Sequence, residues 1–572
     1  MLFIVIGLLD RARNQLIHRM PFNSRLPDNC WKISFSRPFQ IALVRKGEGL
    51  TMRVDGRVFS PSPISVPVQG KADIHVLPDT PKTAQRLRKN LIAQQCHVLG
   101  KRRLLSLDAD KALYGMAAHI ARSLRKHPPE KAQLPYFQQA VYGLMHAIAA
   151  YLRPLVEIRE IAEQSGVVKI TLPINRIASA FWLCDFLNKP AADYAGTRRW
   201  SEAPSRPLDN WPTIPRLVLI TMTSRARPFG ISAAGSIAHG LAEKFAMQIR
   251  NISPPTAFAN FRKLRPQALV ALYRKLRIHG HSRCGSLLLA GPAAQFENGV
   301  LPFLNKTAER FRAEAAETSD KVFVTTNLAR LPALFALAGA RAGGGATASI
   351  ETTLVTQLDR YPSFIVDHRV VIDHGQARLL TKTEPSRVTA CGSELIEARL
   401  ASIERIASDN IRVVIASQPS DHEMRQIFAL AQHLPHTFEI AVAPHAEDLE
   451  GGRAWLAGMV TDLNHPNVSL IEDGADPLNS ATLIITATSN LAIVAQALNI
   501  PVILVVAARN LQDIWGDGPY PGLWFDPETD DPARFMAVVN QALAAQSSDY
   551  IRQNQALFAP RVIARIVTAF TQ

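Results

Sequence analysis

The chain reads as an α/β protein: two doubly wound parallel-sheet domains preceded by an α+β accessory domain. Over residues 391–572, short apolar runs alternate with segments of helix length, and the same rhythm runs through 216–390. Near-continuous apolar strands separated by helices imply a parallel sheet covered on both faces. A length of 572 residues leaves room for two to four domains. The two alternating stretches, about 175 and 182 residues long, are each the size of one doubly wound domain.

In chain order, residues 1–215 form the accessory domain. Met1–Leu9 is apolar, has no basic leader and runs directly into Asp10 and Arg11. It is expected to be a buried strand rather than a signal peptide. Trp31–Ser36, Gln40–Arg45, Leu50–Val54 and Ile64–Pro67 have strand character between Gly and Pro turns, and Lys82–His127 and Gln138–Gln164 have helical character. The tract Glu202–Pro215 contains four prolines and is the expected linker.

The middle domain, 216–390, opens with the strand Arg216–Met222. A polar loop, Thr223–Gly230, and a helix over Ile231–Lys244 follow. Further strands are expected at Ser286–Leu289, Lys321–Thr325 and Ala348–Leu354, with another β-rich run over Phe364–Ile372. The last domain, 391–572, has strands at Val413–Ala416, Glu439–Ala443, Val468–Ile471, Thr482–Thr486 and Val502–Val506. Its helices fall near 420–434, 446–462, 489–498, 531–545 and 549–570.

Composition narrows the function classes. With 47% hydrophobic and 20% charged residues, the chain is an ordinary globular one. No run of about 18 uncharged apolar residues occurs, so no spanning helix is expected. Five cysteines stand far apart without a CxxC pair, which argues against a disulfide framework and a zinc site and fits a reducing cytoplasm. His279, His281 and Cys284 have no second ligand cluster, so neither a metal nor another cofactor is expected.

The net charge of +16 is unevenly spread. Residues 1–130 hold 22 Lys+Arg against 9 Asp+Glu, whereas 391–572 hold 10 Arg, no Lys and 21 Asp+Glu. A basic front and an acidic back indicate separate units, and the front suits an anionic partner such as a lipid surface or an acidic glycan. Solubility alone is the plainer reading of the same charge. Nucleic acid is not expected, because no recognition module or aromatic-interleaved basic motif accompanies the charge.

Chemistry concentrates in Glu439–Val505. One strand ends in Pro444-His445, a second in Glu472-Asp473, and a third runs into Thr486-Ala487-Thr488-Ser489-Asn490 before a helix. Thr486, Thr488, Ser489 and Asn490 lie at the C-terminal end of a parallel strand, where open α/β sheets bind ligands. The free N–H groups and positive end of the following helix suit a diphosphate; an ordinary Ser/Asn cap is the structural alternative. His445 is placed to hydrogen-bond a phosphate or to act as acid/base, or is a satisfied structural histidine.

This run resembles the nucleotide-sugar half of two-domain glycosyltransferases of the GT-B type. It is also similar to UDP-N-acetylglucosamine epimerases and to the transferases of capsule and teichoic-acid assembly. The resemblance implies two Rossmann-like domains, with Glu472, Thr486, Thr488, Ser489, Asn490 and Gln496 at the donor site. Gln496 stands in the helix where those families often carry Glu, and the paired Glu of true epimerases is missing.

In the middle domain, Arg225 and Arg227 sit in a loop similar to the cleft-lining loop of GT-B enzymes. With Arg330, they are candidate contacts to a phosphate of donor or acceptor. Asp373 and His374, like Asp367 and His368, offer a base to an acceptor hydroxyl, or form the polar face of a hairpin.

The implied activity is transfer of a sugar from a nucleotide-sugar donor to a glycan or lipid-linked acceptor in surface-polysaccharide biosynthesis. The expected location is cytoplasmic, with peripheral attachment to the inner face of the membrane. The alternatives are a nucleotide-sugar epimerase or hydrolase, and a catalytically silent glycan-binding member of the same fold.

Overall fold

The computed structural model describes residues 30–35, 40–46, 49–55, 73–76, 97–99, 107–125, 136, 139–149, 152–153, 169–172, 211–213, 215–222, 237–252, 266–278, 289–294, 296–326, 328, 331–352, 366–383, 386–406, 410–417, 421–445, 452–463, 465–472, 475–545 and 548–572. These fall into two compact units. The first lies within Met1–Gln133, Ala140–Thr197 and Ala257–Leu301, and the second within Leu134–Gln139, Arg198–Thr256 and Pro302–Gln572.

The first unit holds β1 (Cys30–Phe35), β2 (Gln40–Lys46), β3 (Gly49–Asp55), β4 (Asp73–Val76), β5 (His97–Leu99) and β6 (Lys169–Leu172), in the order β3-β2-β1-β6-β4-β5. The first three make an antiparallel meander, and β1, β6, β4 and β5 pair in parallel. Mixed sheet plus helices is the α+β content expected of this region. Helix α1 (Leu107–Arg125) buries Leu113, Ala117, Ile120, Ala121 and Leu124, the three-and-four spacing of one helix face. Helix α2 (Pro266–Ile278) belongs to this unit too. The expected helical run Lys82–His127 is interrupted by the short strand β5. The expected strands at Met1–Leu9 and Ile64–Pro67 lie outside the described residues, as does most of the Pro-rich linker.

The second unit carries two parallel sheets, each of six strands among the described residues. The elements of the first are β7 (Arg216–Met222), β8 (Met247–Ile252), α3 (Leu301–Ala316), β9 (Lys321–Thr325), α4 (Leu331–Ala342), β10 (Ala346–Ile350), β11 (His368–Val371), α5 (His374–Thr383) and β12 (Arg387–Ala390). Its strand order is β12-β11-β10-β9-β7-β8, with every pair parallel. Leu217, Leu219, Val322, Val324, Ala348 and Val370 line one face of the core. The expected strand Ser286–Leu289 does not hold at its described end, because Leu289 starts a helical stretch over 289–294. Strand β11 pairs in parallel on both sides, so Asp367-His368 and Asp373-His374 bracket a buried strand and are not part of a hairpin.

Helix α6 (Glu394–Ser402) then leads to the second sheet. It comprises β13 (Arg412–Ala416), α7 (Asp421–Ala431), β14 (Glu439–Ala443), α8 (Gly452–Asp462), β15 (Val468–Leu470), β16 (Leu483–Thr486), α9 (Leu491–Ala497), β17 (Val502–Val505), α10 (Ala508–Trp515), β18 (Leu523–Phe525), α11 (Phe535–Ala544) and α12 (Asp549–Phe558). The order is β15-β14-β13-β16-β17-β18, again parallel throughout. Val413, Ile415, Val442, Ile485, Ile503 and Val505 pack against Met424, Ile427 and Phe428 of α7 and Phe535 and Val539 of α11.

The last helix, α13 (Val562–Thr571), does not continue α12. Ala559 and Pro560 intervene, and Arg561 takes φ 101°. Proline cannot supply the N–H that a continuous helix would need there. Val562, Ile566, Ala569 and Phe570 recur at helix-face spacing and pack on the first sheet, not the second. The indole N–H of Trp211 donates to Phe570 O at 2.7 Å and fixes the helix end there. Both sheets are doubly wound and Rossmann-like, as expected, and the chain crosses between them twice.

Candidate functional site

In an open parallel sheet, ligands bind beyond the C-terminal strand ends where the winding direction reverses. In the second sheet β13 lies between β14 and β16, so the reversal falls between β13 and β16. Four loops surround that point, beginning at Ser417, Pro444, Ala487 and Val506.

The turn after β16 is self-supporting. Thr486 is wholly buried, and its Oγ1 accepts from Ser489 N at 3.3 Å. Ser489 Oγ accepts from Leu491 N at 3.2 Å, so the hydroxyl hydrogen can still be donated to a ligand oxygen. Thr488, Ser489 and Asn490 are half-buried at the rim. The turn is also tied from behind, since Trp515 Nε1 donates to Ala487 O at 2.9 Å from a fully buried ring. On the far side of β13, His445 N donates to Ser417 Oγ at 3.2 Å, which joins the loops after β14 and β13. His445 itself is half-buried. Thr488, Ser489, Asn490, His445 and Ser417 thus gather at one strand-end crevice.

The other expected site residues are placed differently. Glu472 is exposed beyond β15, the edge strand. Gln496 is buried with its amide committed to the fold: Nε2 donates to Ile500 O at 3.0 Å, and Oε1 accepts from the Ser548 hydroxyl. It braces α9 against the start of α12 rather than reaching for a ligand.

Asp373 is completely buried. Its Oδ1 accepts from Gln376 N at 2.8 Å, which caps α5, and its Oδ2 accepts from the Tyr550 hydroxyl at 3.0 Å. Burial raises its pKa, opposed by those two hydrogen bonds. The backbone N–H of His374 donates to Asn554 Oδ1 at 3.0 Å, and burial followed by Arg378 lowers the imidazole pKa. Asp373 is therefore a strut between α5 and α12. Arg225, Arg227 and Arg330 lie outside the described residues, as does Asp473.

Sequence reasoning passed over three features. One is Trp515 with the turn Gly516–Tyr520, for which the Gly-Asp-Gly-Pro tetrapeptide is a turn signal. Another is Ser417, whose only signal is its place after an apolar strand. The third is in the first sheet: Glu351, at the end of β10, accepts from Arg369 Nε at 3.1 Å and from Ser349 Oγ at 3.1 Å, and Arg369 is fully buried. No sequence pattern announces that pair, because its members sit on different strands.

The second unit thus combines two doubly wound sheets, hydroxyls and a histidine at the strand ends of one of them, and a final helix returned to the other. No family profile matches the chain, and no curated protein matches it. Among solved structures it is similar to the apo form of the lipopolysaccharide outer core galactosyltransferase WaaB, with 10% identity over 62% of this chain and 99% of that one, at a TM-score of 0.40. It is also similar to a UDP-GlcNAc 2-epimerase from Neisseria meningitidis bound to UDP-GlcNAc, at 12% identity, the same coverage and a TM-score of 0.37. A third is MurG of Acinetobacter baumannii, at 13% identity, again the same coverage and a TM-score of 0.35.

Proposed function

We propose that this chain is a glycosyltransferase that passes a sugar from a nucleotide-activated donor to a glycan or lipid-linked acceptor in surface-polysaccharide assembly. The observation that carries the reading is the hydroxyl-bearing turn Thr486–Asn490 at the switch point of the second sheet, with His445 at the end of β14 on the same side of that sheet. Ser489 and the neighbouring backbone hold the donor diphosphate. Transfer breaks the bond from the sugar's anomeric carbon to the diphosphate oxygen and forms one to the acceptor oxygen. The acceptor proton passes to a base, for which His445 is the candidate at the crevice. Most of the acceleration comes from positioning the reactants and stabilising the departing diphosphate.

No helix among the described residues is long and apolar enough to cross a membrane. The reading places the protein in the cytoplasm, with its basic front on the anionic inner face of the membrane, where each Lys or Arg near the surface contributes about 1 kcal/mol.

The test is a thermal-shift screen against UDP-, GDP-, CMP- and CDP-sugars, since a ligand that binds only the native state raises Tm. One class should stabilise the protein, and Ser489→Glu should abolish the shift with the fold intact. Unchanged binding in that variant would sink the site. Sedimentation with anionic liposomes tests the membrane part separately: binding should weaken as salt rises.

A further inference from the structure

The two crossings between the sheets of the second unit touch each other. The first runs through Cys391 and Gly392 into α6, and the second through Leu557–Arg561 into α13. Gly392 has φ +87°, and a Cβ there would stand 2.6 Å from Leu557 O, so only glycine allows the two backbones this close.

Each crossing is held by a charged side chain from the other. Arg565, on α13, donates from Nε to Cys391 O at 2.7 Å, from Nη2 to Leu557 O at 2.9 Å and from Nη1 to Ala559 O at 3.0 Å. One planar guanidinium therefore ties three carbonyls on both crossings. Glu397, on α6, accepts from Arg561 N at 2.8 Å through Oε1 and from Val562 N at 3.0 Å through Oε2. It satisfies two orphan N–H groups at the start of α13. Charge-assisted bonds of this kind are roughly twice as strong as neutral ones.

Without these bonds each crossing would be a single strand of chain, with Gly392 and Arg561 free to absorb the dihedral changes of a hinge. Held side by side, neither can twist unless the other follows. A second set of contacts lies at α5. Gly516 has φ +80° and packs on Gly375, Asp517 N donates to Gly375 O at 3.1 Å, and Arg378 Nε donates to Asp517 O at 3.2 Å.

We propose that Arg565 and Glu397 form a reciprocal staple that fixes the angle between the two sheets of the second unit. They are positioning residues, and the inference does not depend on which ligand the crevice takes.

The test measures the angle directly. Spin labels carried on unnatural amino acids replace Ala313, exposed on α3 of the first sheet, and Gln541, exposed on α11 of the second. Pulsed electron resonance then gives the distance distribution in the full chain. The wild-type chain should show one narrow distribution. Arg565→Ala should shift it or broaden it about twofold. Arg565→Lys keeps the charge but loses the three-way fork and should broaden it less, and Glu397→Gln should behave likewise. Circular dichroism confirms folding, and the lysine variant keeps the test decisive if the alanine variant does not fold. Arg565 acting only as a stabiliser would lower Tm and leave the distance unchanged. That result, or a broad wild-type distribution, overturns the proposal.

Discussion

The two doubly wound sheets of the second unit share a plan and differ in where they keep their polar groups. The second sheet is apolar through its strands and confines polarity to the strand ends: Ser417, His445 and the turn Thr486–Asn490. The first sheet carries charge into its interior. Asp367 accepts from Thr347 N at 2.9 Å and Thr347 Oγ1 at 2.7 Å and pairs with Arg341, while Arg369 pairs with Glu351 and His368 faces Thr389. An apolar core depends on volume and shape alone. A core with buried charges depends on every partner being present, because a lone buried charge costs more than the pair gains. The first sheet should therefore be the more easily broken of the two, and the second should tolerate change except at its rim.

The largest expected effect is in the first sheet. Arg369→Met strands the Glu351 carboxylate and should cost about 3–5 kcal/mol in denaturant unfolding. The double change Arg369→Met with Glu351→Met should recover most of the loss, because it removes both charges. A core truncation in the second sheet, Ile485→Val, should cost only about 0.5–1.5 kcal/mol. Equal costs for the Arg369 and Ile485 changes would erase the contrast.

Next comes pH. His368 is buried against Trp211 and Phe570, with ring centroids 5.4 Å from each. Burial, followed by Arg387, lowers its pKa from 6.5 to about 4. Between those values the unfolded chain binds a proton that the native state refuses, so stability falls as pH falls from about 6.5 to about 4. Below that window the native imidazole is protonated too, and the slope from this group ends. At about 1.4 kcal/mol per unit, the full effect is on the order of 3 kcal/mol. Denaturation across that range should show a flatter dependence for His368→Phe, and an identical slope would count against the assignment.

A smaller effect is expected at the rim of the second sheet. Trp515→Phe leaves Ala487 O without its donor and should cost about 1–3 kcal/mol. It should also weaken nucleotide binding by loosening the turn, which titration calorimetry would register. Smallest of all, Glu472→Gln should change stability by less than about 0.5 kcal/mol, because the side chain is exposed. A marked loss of nucleotide affinity in that variant would return Glu472 to the donor site.

The same contrast governs how much could be read in advance. Apolar runs flanked by turns announced β13 through β17 to within a residue or so, and Arg216–Met222 and Lys321–Thr325 were legible for the same reason. Three of the four edge strands were not. Strand β8, Met-Gln-Ile-Arg-Asn-Ile, mixes polar and apolar residues because one of its sides has no strand neighbour, and β12 and β18 are only four and three residues long. The break between α12 and α13 was hidden because the helical pattern continues on both sides of Pro560. At the site, the gathering of Thr488, Ser489, Asn490 and His445 followed from strand-end logic. Asp373 and Gln496 did not stay with them, because a carboxylate or amide reads the same in sequence whether it faces a ligand or caps a helix.

Local pattern by itself determined that this chain would form α/β units, where most central strands begin and end, and which strand end of the last domain would be rich in hydroxyls. These properties depend on side-chain periodicity and turn chemistry within a few residues. Tertiary structure alone decided the two strand orders, the return of α13 to the first sheet, the burial of Arg369 against Glu351, and the meeting of Arg565 with Cys391. Each of those joins groups far apart in the chain, through hydrogen bonds and desolvation that exist only after the backbone has brought both partners together.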